Sequence, residues 1–503
     1  MNLQAAVMAL DFPNISSQGD PTLGLARSDS RSISPGDLFV CMSGSEVENR
    51  KHIVDASARG AGAIFVRTGP DLEFCKENQL AYICLDGSEM DFRLAIGAVS
   101  HLLAGNPSRH LKVVGITGTN GKTTTAWIMR SLLNKCMGAS ACFGTLGYLD
   151  SRSSFENRNT TPVAPEIAEA MQLAVLHYQD CFVMEVSSHA LVEERIAGVE
   201  FDGAVFTNLT QDHLDYHQDM TNYELAKKRL FKEVPNRSSK HFTAALNLDD
   251  PVGLKWYQEL DLPKIGYSTT SLFEDCLFVE SNYAGLTELD LNVFYNEVEM
   301  LNLVVNIGGQ YNVSNVASAI AGCLALGVEL ESIVKSLSEV TPVPGRFEPI
   351  ANSLGFEVII DYAHTPNALL KLLKSVRELT TGKLICVFGC GGDRDKSKRP
   401  LMAEVVSGLA DLTIITSDNP RTEDPSVIIK ETELGIREGT ESISILDRKE
   451  AIYFAINKAC PLDVVVIAGK GHEGYQVIGT TSYPSDDRIL AREVLTVREA
   501  AFR

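Results

Sequence analysis

The stretch VVGITGTNGKTTTAWIMRSLL, residues 113–133, places a glycine-rich turn between an apolar run and an amphipathic segment. This order is typical of a β-strand, a phosphate-binding loop and an α-helix, because glycines allow backbone N–H groups to converge on phosphate oxygens. Position 116 is isoleucine, so the loop has the tighter spacing GTNGKT in place of the common GxxxxGK(S/T). The stretch therefore predicts a nucleotide-binding α/β domain. The loop residues are Gly118, Thr119, Asn120, Gly121, Lys122, Thr123 and Thr124.

A phosphate site of this kind needs charge compensation and a metal ligand. Lys122 can neutralise phosphate charge and the Thr123 hydroxyl can bind Mg²⁺. Glu185 ends the next apolar strand, CFVME, where a metal-binding carboxylate belongs, and a buried carboxylate is costly unless it is paired or metal-bound. His213 and His217 follow in a polar turn, and their spacing does not decide which of them approaches the metal.

Glycine and proline divide the 503 residues into three blocks. We predict a first domain at residues 1–110, a central domain at 111–344 and a C-terminal domain at 345–503, with boundaries in LAGNPSRHL and TPVPGR. In the first block, the strands DLFVCMSG and AGAIFVR accompany the helical segment KHIVDASARGA, which is an α/β pattern.

Composition limits the classes of partner. The formal charge of -20 repels polyanions, so we expect neither a nucleic-acid nor a membrane partner, and an anionic substrate must be held locally. The chain begins without a basic signal-peptide region and has no apolar stretch of about 18 residues, which favours a cytoplasmic protein. The eleven cysteines have no zinc or disulfide spacing and are interpreted as buried thiols. We also expect a monomer.

The third block contains four apolar strands, FEVIID, KLICVFG, DLTIITS and DVVVIAG, each followed by a polar motif. Continuous Val/Ile/Leu runs separated by helical stretches such as PNALLKLLKSVREL predict a parallel sheet that is covered on both faces. Ligands bind outside the carboxyl ends of such strands, so we predict that the four loops converge on one site. The alternative is that these loops are ordinary polar turns.

A set of ordered motifs resembles the Mur ligases of bacterial cell-wall synthesis. The motifs are GTNGKTTT, MEVSSHAL, TNLTQDHLDYH, AKKRLF, NLDDP, GQYNVSN, PGRFE, DYAHTPNAL, GCGGDRDKSKRP, DNPR and AGKGHE. The resemblance covers nearly the whole chain and is strongest to the members that add the third amino acid of the peptide. It implies an α/β fold with a small UDP-binding domain, a central P-loop ATPase-like domain and a C-terminal Rossmann-like domain.

The resemblance implies an ATP-dependent ligation. ATP phosphorylates the D-glutamyl carboxylate of UDP-N-acetylmuramoyl-L-Ala-D-Glu, the amine of meso-diaminopimelate attacks the acyl phosphate, and phosphate leaves. Two Mg²⁺ ions would neutralise the crowded oxygens. Lys227, which helical periodicity alone predicts to be solvated, matches the family's carbamylated lysine, in which CO₂ converts the amine into a carbamate.

The resemblance also assigns roles by position. Lys122 and Thr123 would hold phosphate and the first metal, Glu185 would bridge the metals, and His213 would bind the second. The expected nucleotide contacts beyond the loop are Asn312, Asn315, Arg346 and Asp361. The expected acceptor contacts are Ser30 for uridine and Thr160, Thr161, Ser187 and Arg195 for the peptide. The segment SDSRSISPGDLFVCMSGSE is similar to the one with which this family holds the UDP end of its substrate. The family's His-Gln-Ala triplet after the second glycine of this segment, Gly44, is replaced by Ser45, Glu46 and Val47. Glu193 stands where some relatives have Gln.

For Arg421, in the motif DNPR, the resemblance implies a role in choosing the incoming amino acid. The amino acid added at this step is lysine or meso-diaminopimelate, which differ mainly by a distal carboxylate. A guanidinium can form two charge-assisted hydrogen bonds with that carboxylate, whereas lysine would leave it unpaired. Relatives that add lysine lack this arginine. The expected pocket comprises Arg394, Asp418, Asn419, Pro420, Arg421, Gly469 and Glu473, with Glu473 on the distal ammonium.

Four alternatives stay open at this point. Arg421 can instead form a structural salt bridge with Glu423 or Asp424. The lysine-adding ligase is the nearest functional alternative, and Arg421 alone distinguishes it from the ligase that adds diaminopimelate. Folylpolyglutamate synthetases share the loop and the chemistry but lack a preceding block of this length. A regulatory nucleotide-binding protein would have a broken active site, yet Lys122, Glu185 and Lys227 are present.

Overall fold

A computed structural model describes residues 1–10, 12–42, 44–157, 159–296 and 298–502. These residues form a mixed α/β protein with three principal sheets, which confirms the predicted fold class. The backbone divides into two compact units. The first unit is Met1–Phe278 with Asn315–Ser336, and the second is Val279–Ser314 with Leu337–Arg503. The two boundaries between the three predicted domains stay predictions.

The amino-terminal part of the first unit is a five-stranded sheet of order β1-β5-β4-β3-β2 in which only β1 is antiparallel. Alternate residues of β4 face opposite cores, as Phe65 packs with one cluster and Ile64 with the other. The stretch DLFVCMSG is strand only at β3, and its Ser43 lies outside the described residues. The elements are α1 (Leu3–Leu10), β1 (Ile15–Gln18), β2 (Ala26–Arg27), β3 (Leu38–Val40), α2 (Glu46–Ala58), β4 (Ala63–Arg67), α3 (Pro70–Glu77), β5 (Tyr82–Leu85) and α4 (Glu89–Leu103).

The central sheet of the first unit runs in the order β13-β12-β11-β6-β10-β7-β8-β9 and is parallel from β13 to β7. The carboxyl ends of β6, β10 and β11 therefore lie at one edge. Its elements are β6 (Lys112–Thr117), α5 (Lys122–Cys136), β7 (Ser140–Gly144), β8 (Gly147–Leu149), β9 (Ser154–Phe155), α6 (Ala164–Leu176), β10 (Cys181–Glu185), α7 (Ser188–Val192), β11 (Gly203–Phe206), α8 (Leu214–His217), α9 (Met220–Lys232), β12 (Thr243–Asn247), α10 (Pro251–Glu259) and β13 (Lys264–Ser268).

The second unit contains a six-stranded sheet of order β17-β18-β22-β19-β20-β21, parallel from β18 to β21. The four strands predicted from sequence are β18, β19, β20 and β22. Their alternate residues enter two separate cores, as Phe388 does on one face and Val387 on the other, so both faces are covered as predicted. A short hairpin, β23 and β24, forms a sheet of its own.

The remaining elements complete the chain in sequence order. Strand β14 and helix α11 each begin in one unit and end in the other. The elements are β14 (Leu277–Ala284), β15 (Leu289–Tyr295), β16 (Val298–Val305), α11 (Asn312–Ala325), α12 (Leu330–Ser336), β17 (Glu348–Pro349), β18 (Glu357–Asp361), α13 (Pro366–Leu379), β19 (Leu384–Cys390), α14 (Lys398–Ser407), β20 (Leu412–Ser417), α15 (Pro425–Glu433), β21 (Glu441–Ser444), α16 (Arg448–Lys458), β22 (Val464–Ala468), β23 (Tyr475–Ile478), β24 (Thr481–Pro484) and α17 (Asp487–Phe502).

The cysteines are free thiols, and all are buried except Cys136, Cys142 and Cys460. Across the described ranges, no helix combines the length and apolar character needed to cross a bilayer. The same part of the chain contains no cluster of three or more His, Cys, Asp or Glu side chains suited to a metal ion.

His101 is a buried polar residue without a hydrogen-bond partner among the described residues. It lies near the carboxyl end of α4, and both ring nitrogens are enclosed. Burial lowers the pKa of His101 to about 4, against a small opposing effect of Glu200. The unfolded chain would take up this proton at the ordinary value of 6.5. The stability contributed by neutral His101 is therefore complete above pH 6.5 and is lost as the pH falls toward 4.

We predict that His101→Leu reduces acid sensitivity. Between pH 7 and 4 the free energy of unfolding of the unmodified chain should fall by up to about 3 kcal/mol more than that of the variant. Denaturant titrations across this pH range measure the difference. His110→Leu, at an exposed position, is the matched control and should follow the unmodified chain. Parallel curves for the unmodified chain and His101→Leu would contradict the prediction.

Candidate active site

The phosphate loop connects β6 to α5 through two glycines with positive φ. Gly118 has φ of 152° and Gly121 has φ of 87°. A Cβ atom at Gly118 would overlap the Thr207 hydroxyl, and one at Gly121 would overlap Oδ1 of Asn315. Both the backbone conformation and the close approach therefore require glycine at these positions. The α5 amino end, at Lys122, follows the loop directly and has no side-chain cap from Gly121.

The ammonium group of Lys122 lies across its own loop. Its Nζ donates to the carbonyl oxygen of Gly118 at 2.8 Å and to that of Thr119 at 3.0 Å. Asn120 is fixed at the loop apex, where its N–H donates to Oδ1 of Asn208 at 2.9 Å. The loop thus holds one cation and a curved backbone at the carboxyl edge of the parallel sheet.

Glu185 lies buried at the end of β10, in register with Ile116 of the neighbouring β6. Its Oε2 accepts a hydrogen bond from the Thr123 hydroxyl at 3.0 Å. Thr145, just after β7, donates its N–H to Oε1 at 2.7 Å and its hydroxyl to Oε2 at 3.2 Å. Two of the three side chains predicted to bind metal, Thr123 and Glu185, are therefore adjacent. Sequence reasoning missed Thr145, although its place after a parallel strand was a usable signal.

Lys227 is buried within α9 and faces the phosphate loop. Its Nζ donates to the Gly118 carbonyl oxygen at 2.9 Å and lies 4.6 Å from the ring centroid of Tyr223. Burial, reinforced by the charge of Lys122, lowers the pKa of Lys227 well below 10.5. The solvated location that helical periodicity predicts is wrong for this residue, because α9 packs its inner face against the loop. This environment favours the neutral amine over the ammonium form.

The structure distinguishes the two candidate histidines. His217 is buried, its Nε2 is hydrogen-bonded to the Ser188 hydroxyl at 2.9 Å, and burial lowers its pKa to about 4. His213 begins α8 with φ of 53°, is half-exposed, and lies with its ring 4.9 Å from that of His189. Burial lowers the pKa of His213, and Lys122 and Lys227 add to that effect. The geometry favours His213 as a neutral imidazole beside the loop.

The residues predicted to hold the acceptor peptide are joined to Glu185. The Thr161 hydroxyl donates to the Glu185 carbonyl oxygen at 2.9 Å and accepts from the Ser187 N–H at 3.0 Å. Arg195 donates from Nη1 to the Thr161 carbonyl oxygen at 2.8 Å. The hydroxyl of Thr160 lies 3.2 Å from that of Thr145. These side chains therefore form one hydrogen-bonded group beneath the phosphate loop.

A cavity of about 1330 Å³ opens in the first unit between the amino-terminal sheet and α6. Ser30 lines it, is buried, and places its hydroxyl 3.5 Å from Nδ1 of His52. Arg31 and Arg93 also line the cavity and were missed from the sequence, since isolated surface arginines carry no motif. Glu193 reaches the wall and forms an ion pair with Arg195 at 2.8 Å.

The altered triplet of the first domain lies at the start of α2. Ser45 caps this helix, accepting from the Glu48 N–H at 3.4 Å, and Glu46 and Val47 form its first turn. Val47 is exposed. The triplet therefore has a local structural use, which agrees with leaving it out of the expected uridine contacts.

Three of the predicted nucleotide residues lie in the second unit, and each is held by contacts within that unit. The Arg346 guanidinium lies 4.2 Å from the ring centroid of Tyr362. Asp361 is buried, accepts from the N–H groups of Phe347 and Ala363 at 2.8 Å each, and has its pKa raised by burial. Asn312 is the first residue of α11, and its Nδ2 donates to the Gly308 carbonyl oxygen at 2.6 Å.

Arg421 follows β20 and has φ of 51°, which is unusual for a residue with a long side chain. Its Nη1 donates to the Gly392 carbonyl oxygen at 2.8 Å, and it forms no ion pair within 4.0 Å in the described part of the chain. The two acidic residues offered as structural partners are used elsewhere. Glu423 pairs with Arg399 at 2.9 Å, and Asp424 caps α15.

The loops after β19, β20 and β22 meet at Arg421 and Asn419. The loop after β18 contacts the β22 loop, where the Tyr362 ring lies 5.5 Å from that of His472. The Asn419 side chain donates to Oε2 of Glu473 at 2.9 Å. Burial and the charge of Asp418 raise the pKa of Glu473, whereas Lys470 and Arg421 lower it. Gly469 has φ of 115° and would carry a Cβ 2.9 Å from Oδ2 of Asp418. The remaining predicted pocket residues are the exposed Arg394, which donates to the Asp393 carbonyl oxygen at 3.2 Å, and Pro420, whose carbonyl oxygen accepts from Glu423 N–H at 3.1 Å.

The phosphate loop, its buried carboxylate and the parallel sheets define a nucleotide-dependent α/β enzyme. Two family descriptions match the chain, the "Mur ligase middle domain" over residues 116–323 and the "Mur ligase, glutamate ligase domain" over residues 345–471. The chain belongs to the Mur ligase family. It is therefore an ATP-using ligase that forms an amide bond in peptidoglycan synthesis.

Full-length relatives support this assignment. The chain is 39% identical over 501 residues to the "UDP-N-acetylmuramoyl-L-alanyl-D-glutamate--2,6-diaminopimelate ligase" of Clostridium botulinum, covering 98% of this chain and 99% of the relative. It is 38% identical over 504 residues to the enzyme of the same name from Bacillus cereus, covering 99% of each. A solved structure of an enzyme with that name has a TM-score of 0.65 at 30% identity and covers 95% of each chain.

We predict that Gly121→Ala weakens ATP binding at least tenfold, because the added methyl group would overlap Oδ1 of Asn315. Gly327→Ala is the matched control, since Gly327 has φ of 85° and no heavy atom within 4 Å of the added methyl group. Both variants should lose about 1–2 kcal/mol of stability from the left-handed backbone. Calorimetric titration with ATP and thermal unfolding measure the two effects. Equal ATP affinities in both variants would refute the steric argument.

Proposed function

We propose that the chain adds meso-diaminopimelate to UDP-N-acetylmuramoyl-L-Ala-D-Glu in the cytoplasm, as a monomer, with ATP as the phosphoryl donor. The printed names of its full-length relatives describe ligases of 2,6-diaminopimelate. The observation that carries the choice of amino acid is Arg421, a half-buried guanidinium that has no ion-pair partner in the described residues and is held by backbone carbonyl oxygens.

Phosphate binding is proposed at the loop of residues 118–124. Lys122 can move from the Gly118 and Thr119 carbonyl oxygens to phosphate oxygens, because the two kinds of acceptor compete for the same ammonium group. The helix amino end at α5 adds N–H donors to the same place. Loop closure around the triphosphate would then orient it toward the acceptor carboxylate.

Magnesium is proposed at the Thr123 hydroxyl and the Glu185 carboxylate, with His213 beside a second ion. These oxygens already lie 3.0 Å apart and belong to the hard donors that Mg²⁺ prefers. Mg²⁺ usually keeps several waters and binds substrate phosphates together with one or two protein oxygens. When bound, the ions would offset charge on the phosphates and the acyl phosphate.

A carbamate is proposed on Lys227. The neutral amine would attack CO₂, a C–N bond would form and one proton would leave, so an uncharged amine would become an anionic carbamate. The buried position next to Gly118 and Lys122 favours this change, since a carbamate offsets the nearby ammonium charge. The resulting carboxylate-like group would lie beside the metals.

Diaminopimelate binding is proposed at the loops around Arg421. The guanidinium would form two hydrogen bonds with the distal carboxylate, and Glu473 would pair with the distal ammonium. Asn419 holds Glu473 at 2.9 Å and so fixes the distance between the two charges. Arg394 and Asp418 would complete the polar wall, and Gly469 would leave room for the substrate.

The alternatives fit less well. Lysine addition would leave Arg421 without a carboxylate, which costs binding free energy. Folylpolyglutamate synthetase activity is not favoured, because similarity to the diaminopimelate ligases extends over 98% of the chain, including the amino-terminal cavity that such an enzyme would not need. A purely regulatory protein would not need both the Thr123–Glu185 pair and Lys227.

We predict that Arg421→Ala raises the KM for meso-diaminopimelate about 100-fold and leaves lysine use almost unchanged, because a bidentate charged contact is lost. Arg421→Lys should recover only part of this, since the fork is absent. Phosphate release with meso-diaminopimelate, lysine and glutamate as acceptors measures the change. Arg437→Ala, at an exposed arginine of the same unit, is the control. Equal use of lysine by the unmodified chain would refute the proposal.

We also predict a carbamate signal that depends on Lys227. In ¹³C-bicarbonate buffer, the unmodified chain should show a carbamate carbon resonance that Lys227→Ala removes together with most of the activity. Lys228→Ala, one residue away on the outer face of α9, should keep both. A signal retained in Lys227→Ala would rule out modification at this residue.

A further inference from the structure

The backbone around Arg421 is clamped by the β23–β24 hairpin. The Arg421 N–H donates to the Val477 carbonyl oxygen at 3.0 Å, and the Gly479 N–H donates to the Arg421 carbonyl oxygen at 2.7 Å. Arg421 therefore forms a parallel bridge with Ile478. Strand β23 pairs with β24, with Gln476 opposite Tyr483, and in the described chain this sheet contains no further strand. One short hairpin thus adds a strand-like contact to the loop.

This clamp has a conformational cost to overcome. A long side chain at φ of 51° occupies the left-handed region, which is unfavourable for residues other than glycine. Such a conformation persists only where the surroundings hold it. The two backbone hydrogen bonds to the hairpin provide part of that restraint, and the side chain of Gln476 adds to it.

Gln476 supplies the side-chain contact. Its Nε2 donates to the Asp418 carbonyl oxygen at 2.6 Å and to the Ser417 hydroxyl at 3.2 Å. The next residue, Val477, donates its N–H to Oδ1 of Asn419 at 2.8 Å. The hairpin therefore holds three consecutive positions that lead into Arg421, and the Gln476 side chain forms two of these hydrogen bonds.

We propose that Gln476 is a positioning residue for amino-acid selection, which aligns the 418–421 loop so that the Arg421 guanidinium meets a distal carboxylate. This inference rests on the proposed function. Gln476 does not itself need to contact the amino acid, because its amide group is used by Asp418 and Ser417. Gln476 acts by setting the orientation of the Arg421 guanidinium.

The chemistry of ligation does not pass through this contact. The phosphate loop, Glu185 and Lys227 belong to the first unit, whereas Gln476 and Arg421 belong to the second. Loss of the Gln476 amide should therefore weaken binding of the incoming amino acid and leave binding of ATP and of the UDP-linked acceptor unchanged. An amine without a distal carboxylate should not sense the change.

The test compares Gln476→Leu and Gln476→Glu with Ser482→Ala in phosphate-release assays. Leucine keeps side-chain bulk and removes the donor, while glutamate places a carboxylate against the Asp418 carbonyl oxygen. Ser482→Ala changes an exposed residue on the second strand of the same hairpin and serves as the control. Thermal unfolding and the KM values for ATP and the acceptor are measured in each variant.

Both Gln476 variants should raise the KM for meso-diaminopimelate about tenfold, the effect expected for loss of one well-placed hydrogen bond. The kcat at saturating amine should change less than about threefold, and the ratio of meso-diaminopimelate use to lysine use should fall. Gln476→Asn, which retains the amide on a shorter chain, should lie between the variants and the unmodified chain. Ser482→Ala should match the unmodified chain.

Unchanged selectivity in both Gln476 variants, with selectivity lost in Arg421→Ala, would overturn this inference and leave the proposed function standing. Equal use of lysine and meso-diaminopimelate by the unmodified chain would instead overturn the proposed function. A general loss of kcat and of ATP and acceptor affinity in Gln476→Leu would assign the residue a merely structural role and would also overturn the inference.

Discussion

The hydrogen-bonded carboxylate of Glu185 connects neighbouring elements of the first unit at the carboxyl edge of its parallel sheet. A buried carboxylate is costly without partners, and here the partners come from two separate loops, through Thr123 and Thr145. Strands β6, β10 and β7 must therefore lie side by side and end at the same level. The same arrangement sets Lys227 against the Gly118 carbonyl oxygen, so the charge network and the sheet topology depend on each other.

The second unit uses the same geometric rule for a different purpose. Parallel strands β18, β22, β19 and β20 end at one edge, so their loops can bring Arg421, Asn419 and Glu473 together. The guanidinium is held by carbonyl oxygens and has no carboxylate partner within 4.0 Å in the described chain. Its positive charge is therefore available to a substrate even though the protein as a whole carries a charge of -20.

Both sites retain features that would be unfavourable in a purely structural protein. Lys227 is buried and has a strongly lowered pKa, and Arg421 and His213 adopt left-handed backbone conformations. Lys227 donates to the carbonyl oxygen of Gly118, just after β6, and Arg421 to that of Gly392, just after β19. The surrounding cores and hydrogen bonds supply the stability that holds them there.

The sequence by itself determined the α/β class, the glycine turn between β6 and α5 and the four strands of the second unit, because local periodicity and turn chemistry encode them. The roles of Glu185 and Arg421 stay predictions. Tertiary structure alone decided that Lys227 is buried, that Thr145 holds Glu185, and that His217 is already bound to Ser188. Gln476 reaches a loop 58 residues away in sequence. Burial and long-range hydrogen bonds depend on which elements pack together, and no local pattern reports that packing.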